Sequence, residues 1–132
     1  ALLSVKLARL DEWNDRRRRI AARYLDELPT GELTLPAVSV GVDPVWHLFC
    51  VRHPRRDAFR AALAQAGIET LIHYPTPPHL QRAYSDLAIP RGAFPNAEET
   101  ASTIVSLPMG PAMTDAQVDA VVAAVRAAAR DA

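Results

Sequence analysis

The sequence predicts an α+β domain, and three observations carry that reading. Apolar stripes of helical period stand at both ends, within residues 2–28 and after Thr114. Between them lie short β-branched or aromatic runs bounded by proline, around Val45–Val51 and Ile104–Leu107. At 132 residues, with 49% hydrophobic and 23% charged side chains, the chain suits one domain with its own core. The expected order is helix, strand, helix, strand, loop, helix, strand, helix. It gives a sheet of about three strands covered mainly on one face.

Each element has its own grounds. Leu3, Leu7, Leu10, Trp13, Ile20, Tyr24 and Leu28 approximate a stripe along one helix, from about residue 2 to 28, that Pro29 and Gly31 end. The helix opens on Ala1-Leu2-Leu3-Ser4-Val5 without a capping residue, so it reads as a helix cut in half and the chain as part of a longer protein. Leu33–Leu35 is a short extended piece stopped by Pro36, and Val45–Val51, between Pro44 and Pro54, is a central strand. A helix from Asp57 sets Phe59, Ala62, Leu63 and Ala66 on one face and stops at Gly67. Ile68–Tyr74 is the next strand, and it delivers a proline-rich loop. Pro95 suits the first turn of a helix to about Thr103, and Ile104–Pro108 is a third strand. Thr114 and Gln117 have capping-box spacing. Val118, Val121, Val122 and Val125 then fall at i, i+3, i+4 and i+7.

Composition bounds the function. With 15 basic and 15 acidic side chains the net charge is zero, so no global field draws the chain to nucleic acid or an anionic membrane. No segment reaches the apolar length of a membrane helix or has a signal-peptide pattern, and a cytoplasmic protein is the expectation. Cys50 is the one cysteine, which leaves neither an internal disulfide nor a cysteine metal cluster. It sits mid-strand and reads as a buried apolar residue. Of the 15 basic residues only Lys6 is lysine, and without a phosphate-binding motif it reads as a surface residue. Arg16–Arg19 point all round their helix. Glu12 and Asp15 precede Arg16 and Arg19 by four, and Arg23 has Asp26 and Glu27 within a turn, so a solvated or interface helix is expected. His47 reads as a strand residue and His53, beside Pro54 and Arg55, as an exposed one. No histidine pair has helical metal-ligand spacing, so no metal site is expected.

The chemistry concentrates in Ile72–Tyr84, which carries two histidines, two tyrosines and three prolines off the end of a strand. Prolines stiffen the backbone, so polar groups there sit on a shaped loop. His73, Tyr74, His79 and Tyr84 are the candidate substrate-binding residues. They fit two readings: a packed loop whose histidines cap backbone groups, or one wall of a pocket aimed at a polar substrate. His73 is the stronger functional candidate and His79 the more structural one. No catalytic residue is assigned, because there is no Gly-x-Ser-x-Gly elbow and no glycine-rich phosphate loop.

Several of these segments together resemble one family. Leu3–Asn14, then Arg16–Arg19, Ile20-Ala21 and Tyr24-Leu25, is similar to the helix leading into the C-terminal domain of the DegT/DnrJ/StrS sugar aminotransferases. Val45-Trp46-His47-Leu48-Phe49 resembles a strand of that domain, and Gly67-Ile68 followed by Ile72-His73-Tyr74-Pro75 to His79, Gln81 and Tyr84 resembles its active-site-facing loop. Phe94–Glu98, Leu107-Pro108-Met109 and Thr114-Asp115-x-Gln117-Val118 follow in the same order. The resemblance implies the small C-terminal domain of a fold-type I pyridoxal phosphate (PLP) enzyme, working as a homodimer. Such an enzyme moves an amino group, typically from glutamate, to a keto group of a nucleotide-linked sugar. It implies that the Schiff-base lysine and most of the phosphate cup belong to a preceding large domain. The chain alone would then bind no PLP and be inactive, with His73 as the substrate-side histidine and Tyr74 beside it. Thr76-Pro77-Pro78 departs mildly from the pattern by an extra proline. A PLP-dependent sugar dehydratase of the same family and a non-catalytic interaction or regulatory domain are the alternatives.

Overall fold

The computed structural model describes residues 2–131, and its centre is a two-stranded antiparallel ladder. Strands β1 (Phe49–Arg52) and β2 (Ile104–Leu107) pair Phe49 with Leu107, Cys50 with Ser106, Val51 with Val105 and Arg52 with Ile104. Alternation along each strand then splits the ladder into two faces. Phe49, Val51, Val105 and Leu107 are buried on the inner face. Cys50, Arg52, Ile104 and Ser106 share the outer one.

Single residues widen the ladder on both sides. Thr34 exchanges two backbone hydrogen bonds with Arg52, each 2.9 Å, and Leu71 exchanges two with Ser106 at 3.3 and 2.8 Å. The expected sheet of about three strands is therefore two regular strands flanked by two one-residue bridges. Ile68–Tyr74 fails to become a strand because its ends are held elsewhere. The Ile68 N–H bonds back to Leu63, the Arg60 guanidinium grips Thr70 through both its hydroxyl and its carbonyl, and Pro75 follows. The central strand also starts later than expected. Trp46 takes a left-handed backbone, φ 53°, and folds its ring to 5.3 Å from Phe49 instead of extending the ladder.

Among the described residues five α-helices surround this centre. The expected long helix is broken at Ala8-Arg9 into α1 (Leu2–Leu7) and α2 (Leu10–Glu27). Leu3, Val5 and Leu7 of α1 are exposed, so no core packing keeps it collinear with α2. Helices α3 (Arg56–Gln65), α4 (Pro95–Thr103) and α5 (Asp115–Asp131) lie close to the predicted spans. Gly67, φ 77°, supplies the left-handed turn that releases the chain from α3. The predicted capping box forms at α5: the Gln117 N–H donates to the Thr114 hydroxyl and the Thr114 N–H to the Gln117 carboxamide. Ile20 and Tyr24 of α2, Phe59 and Leu63 of α3, and Val118 and Val125 of α5 meet the inner face in one core. Each such side chain contributes roughly 1.5–3 kcal/mol on burial.

Three side chains differ from expectation. His53 is buried, not exposed: its ring stacks on Phe59 at 4.9 Å, and its Nδ1 accepts the Arg55 N–H. His47 lies before β1 and is exposed, because the strand begins only at Phe49. Cys50 lies on the outer face and is half-buried, with its sulfur 3.3 Å from the Ser106 hydroxyl. The arginine run makes pairs other than the expected ones. Arg16 reaches Asp115 and the Met113 carbonyl, Arg18 takes Asp15 and Asp43, and Glu12 turns back to Arg9. Arg23 pairs with Glu27 as expected and also with Asp119. These long side chains tie α2 to α5 and to the loop before β1, since partners from other elements lie within their reach.

Candidate functional site

A groove of about 980 Å³ runs between the end of α3, the Gly67–Leu71 segment, the end of β2 and α5. Leu48, Ile68, Met109 and Met113 give it apolar walls, while Thr70, His73, Ser106 and Gln117 supply polar groups. That combination of apolar walls and a few converging polar groups is the usual make-up of a small-molecule site. A second cleft of about 410 Å³ opens on the other side of His73, bounded by Tyr74, Pro77, Gln81 and Asn96. Of the residues bounding these two spaces, only His73 borders both.

Backbone geometry places His73. Leu71 is bridged to Ser106 on the edge of β2, and two residues later the His73 Nδ1 lies 2.8 Å from the Ser106 hydroxyl. The His73-Tyr74 peptide bond is cis, and the two rings meet edge to face at 5.5 Å. Tyr74 is 71% exposed, so its phenol is open to a ligand or to a covering surface. Sequence reasoning did not single out Ser106. The available signal was a lone hydroxyl at the odd position between Val105 and Leu107, which alternation assigns to the opposite face.

The other two candidates sit apart from the groove. The proline-rich loop is organised as two short 3₁₀ turns, Pro78–Leu80 and Arg82–Leu87. His79 is packed in the first, with its Nε2 3.0 Å from the Glu98 carboxylate and its ring against Phe94. Glu98 also accepts the Gly92 N–H at 2.7 Å. Burial pushes the Glu98 carboxyl up, but the hydrogen bonds from Gly92, His79 and Phe94 outweigh it and hold it below its ordinary value. Tyr84 is about half exposed in the second turn and borders neither cleft.

The groove does not by itself make a PLP site. Lys6, the one lysine of the sequence, is exposed on α1, and no lysine lines the groove. Arg60, its one arginine, is occupied by Thr70. What the arrangement offers is an imidazole and hydroxyls beside an apolar wall, suited to recognising an oxygen-rich ligand. Among the described residues no cluster of histidine, cysteine or carboxylate groups is arranged to hold a metal.

Residues 1–126 match the model of the DegT/DnrJ/EryC1/StrS aminotransferase family. The chain belongs to this family. Among its relatives is the dTDP-3-amino-3,4,6-trideoxy-alpha-D-glucose transaminase of Streptomyces venezuelae, 49% identical over 112 residues, which cover 84% of this chain and 30% of that protein. The dTDP-3-amino-3,6-dideoxy-alpha-D-galactopyranose transaminase of Aneurinibacillus thermoaerophilus is 48% identical over 118 residues, or 89% of this chain and 32% of that protein. The fold matches the crystal structure of S. venezuelae DesV in complex with a ketimine intermediate, with TM-score 0.91 and 46% identity over 96% of this chain and 34% of that one. A DegT/DnrJ/EryC1/StrS aminotransferase from Brucella abortus aligns with TM-score 0.85 at 34% identity, covering 95% of this chain and 33% of that one. The chain thus spans about a third of the length of the curated relatives it matches. As a DegT/DnrJ/EryC1/StrS domain it has the α+β architecture expected from its sequence, with a smaller regular sheet. No helix of the described residues is long and apolar enough to cross a membrane.

Proposed function

We propose that this chain is the small C-terminal domain of a PLP-dependent aminotransferase that moves an amino group, typically from glutamate, to a keto group of a nucleotide-linked sugar. The observation that carries the reading is the near-half identity to two transaminases named for dTDP-linked amino sugars. In this reading PLP is held by residues of a large domain that precedes the chain, and α1 and α2 lead in from it. The protein is a cytoplasmic homodimer. PLP supplies the electron sink for amino transfer. This chain closes one side of the cleft, excludes water with its apolar wall, and presents His73 and Tyr74 to sugar or phosphate oxygens. His79 and Tyr84 belong to the same substrate loop; His79 acts there by holding its shape through Glu98.

The test uses the full-length protein with PLP, glutamate and a dTDP-linked 3-keto-sugar. His73→Ala is expected to lower kcat/KM for the sugar roughly tenfold or more, the worth of one good hydrogen bond, with bound PLP unchanged. Loss of PLP in that variant would place the histidine on the cofactor instead.

A second reading, a regulatory or interaction domain that keeps the fold, is favoured by two relatives' names. One is the erythromycin biosynthesis sensory transduction protein EryC1, 49% identical, and the other a pleiotropic regulatory protein of Geobacillus stearothermophilus, 40% identical. Absence of PLP from purified full-length protein would favour it over the aminotransferase.

A further inference from the structure

We propose that Ser106 is a positioning residue which, with Cys50 behind it, holds His73 as the tautomer protonated on Nε2. One of the two clefts that His73 borders is then offered a hydrogen-bond donor and not a base. The three side chains come from adjacent segments of one sheet face. Cys50 and Ser106 are direct cross-strand partners, and Leu71 bridges Ser106 from the other side. Two residues beyond Leu71, His73 returns to the same hydroxyl. The resulting chain runs from Cys50 Sγ to Ser106 Oγ, 3.3 Å, and on to His73 Nδ1, 2.8 Å.

Proton counting gives its direction. Ser106 has one hydroxyl proton and two neighbours that compete for it, a thiol sulfur and an imidazole nitrogen. Sulfur is a weak acceptor, so the hydroxyl donates to Nδ1 and the Cys50 thiol donates to a lone pair on Oγ. Ser106 is only 4% exposed, which keeps bulk water from taking either bond. With Nδ1 accepting, the ring proton of the neutral imidazole sits on Nε2. That nitrogen has no protein partner among the described residues and is not sealed from solvent. The other packed histidines offer nothing comparable. His79 gives its Nε2 to Glu98, and His53 Nδ1 is taken by Arg55 while its Nε2 is buried.

A donor N–H selects ligand oxygens such as phosphate, hydroxyl or carbonyl. Its use on a sugar nucleotide rests on the function proposed above, but the tautomer does not. The test is long-range ¹H–¹⁵N NMR of ¹⁵N-histidine-labelled protein at a pH where imidazoles are neutral. His73 should show a protonated, pyrrole-type Nε2 and a pyridine-type Nδ1. In Ser106→Ala the two nitrogens should move to the averaged values of mixed tautomers, whereas Ser106→Thr, which keeps the hydroxyl, should retain the original pattern. A protonated Nδ1 in the unmutated protein overturns the proposal. So does an unchanged pattern in Ser106→Ala, or a lost one in Ser106→Thr whose amide spectrum is native. Should Ser106→Ala not fold, the unmutated and threonine spectra still decide. If the spectra come out as expected but Ser106→Ala leaves KM for the keto-sugar unmoved, the tautomer stands and the sugar-binding role proposed for His73 falls.

Discussion

Tyr24 ties the long helix α2 to the turn after β2. Its ring is fully buried edge-on to Phe49, at 5.1 Å and 72°, and its hydroxyl donates to the Pro108 carbonyl at 2.9 Å. Tyr24→Phe keeps the packing but leaves that carbonyl short of a partner, so it should lower stability by about 1–3 kcal/mol in urea unfolding. Burial also pushes the phenol well above its ordinary value. A pKa raised by folding favours the folded state below the unfolded tyrosine value, about 10, and is lost as pH rises through the folded value. The tyrosinate absorbance of Tyr24, read as the difference between the unmutated protein and Tyr24→Phe, should therefore appear only with alkaline unfolding. Tyr24 entered the sequence pattern simply as a stripe residue. Its hydrogen bond to a residue 84 positions away was invisible there.

The proline-rich segment and α4 depend on Glu98, in the first turn of that helix. The carboxylate gathers His79 and two backbone N–H groups, so one side chain fixes the first 3₁₀ turn and the Gly92–Phe94 stretch against α4. Its pKa is held below the ordinary value, so its contribution is present above the unfolded carboxylate range, about 4.3, and is lost as pH falls through the folded value. The Gly92 amide resonance should shift with that acid titration, and the shift should vanish in Glu98→Gln. Elsewhere Leu63 of α3 is fully buried and part of the one core. Leu63→Ala should cost about 2–5 kcal/mol, measured as a lower denaturation midpoint with unchanged slope.

At the scale of the whole molecule, the groove sets a few polar groups on apolar walls and is lined by no lysine. The chain spans about a third of its relatives' length. Mixing the 132-residue chain alone with PLP, glutamate and a keto-sugar should give no turnover and no change in the PLP spectrum. Turnover that disappeared in Lys6→Ala would show that this exposed lysine holds the cofactor after all.

Local pattern alone determined α2 and α5, the α3 stop at Gly67, the α5 capping box and β2. Those features rest on periodicity, glycine freedom and proline stiffness, which act within a few residues. Only the tertiary structure decided what depends on contacts distant in sequence. Trp46 left the strand to pack on Phe49, and Arg60 held Thr70 so that one bridge replaced a strand. His53 was drawn into the core against Phe59. The same holds for the site: His73 was legible as a candidate, but Ser106, 33 residues away, becomes its partner only when Leu71 docks on the edge of β2.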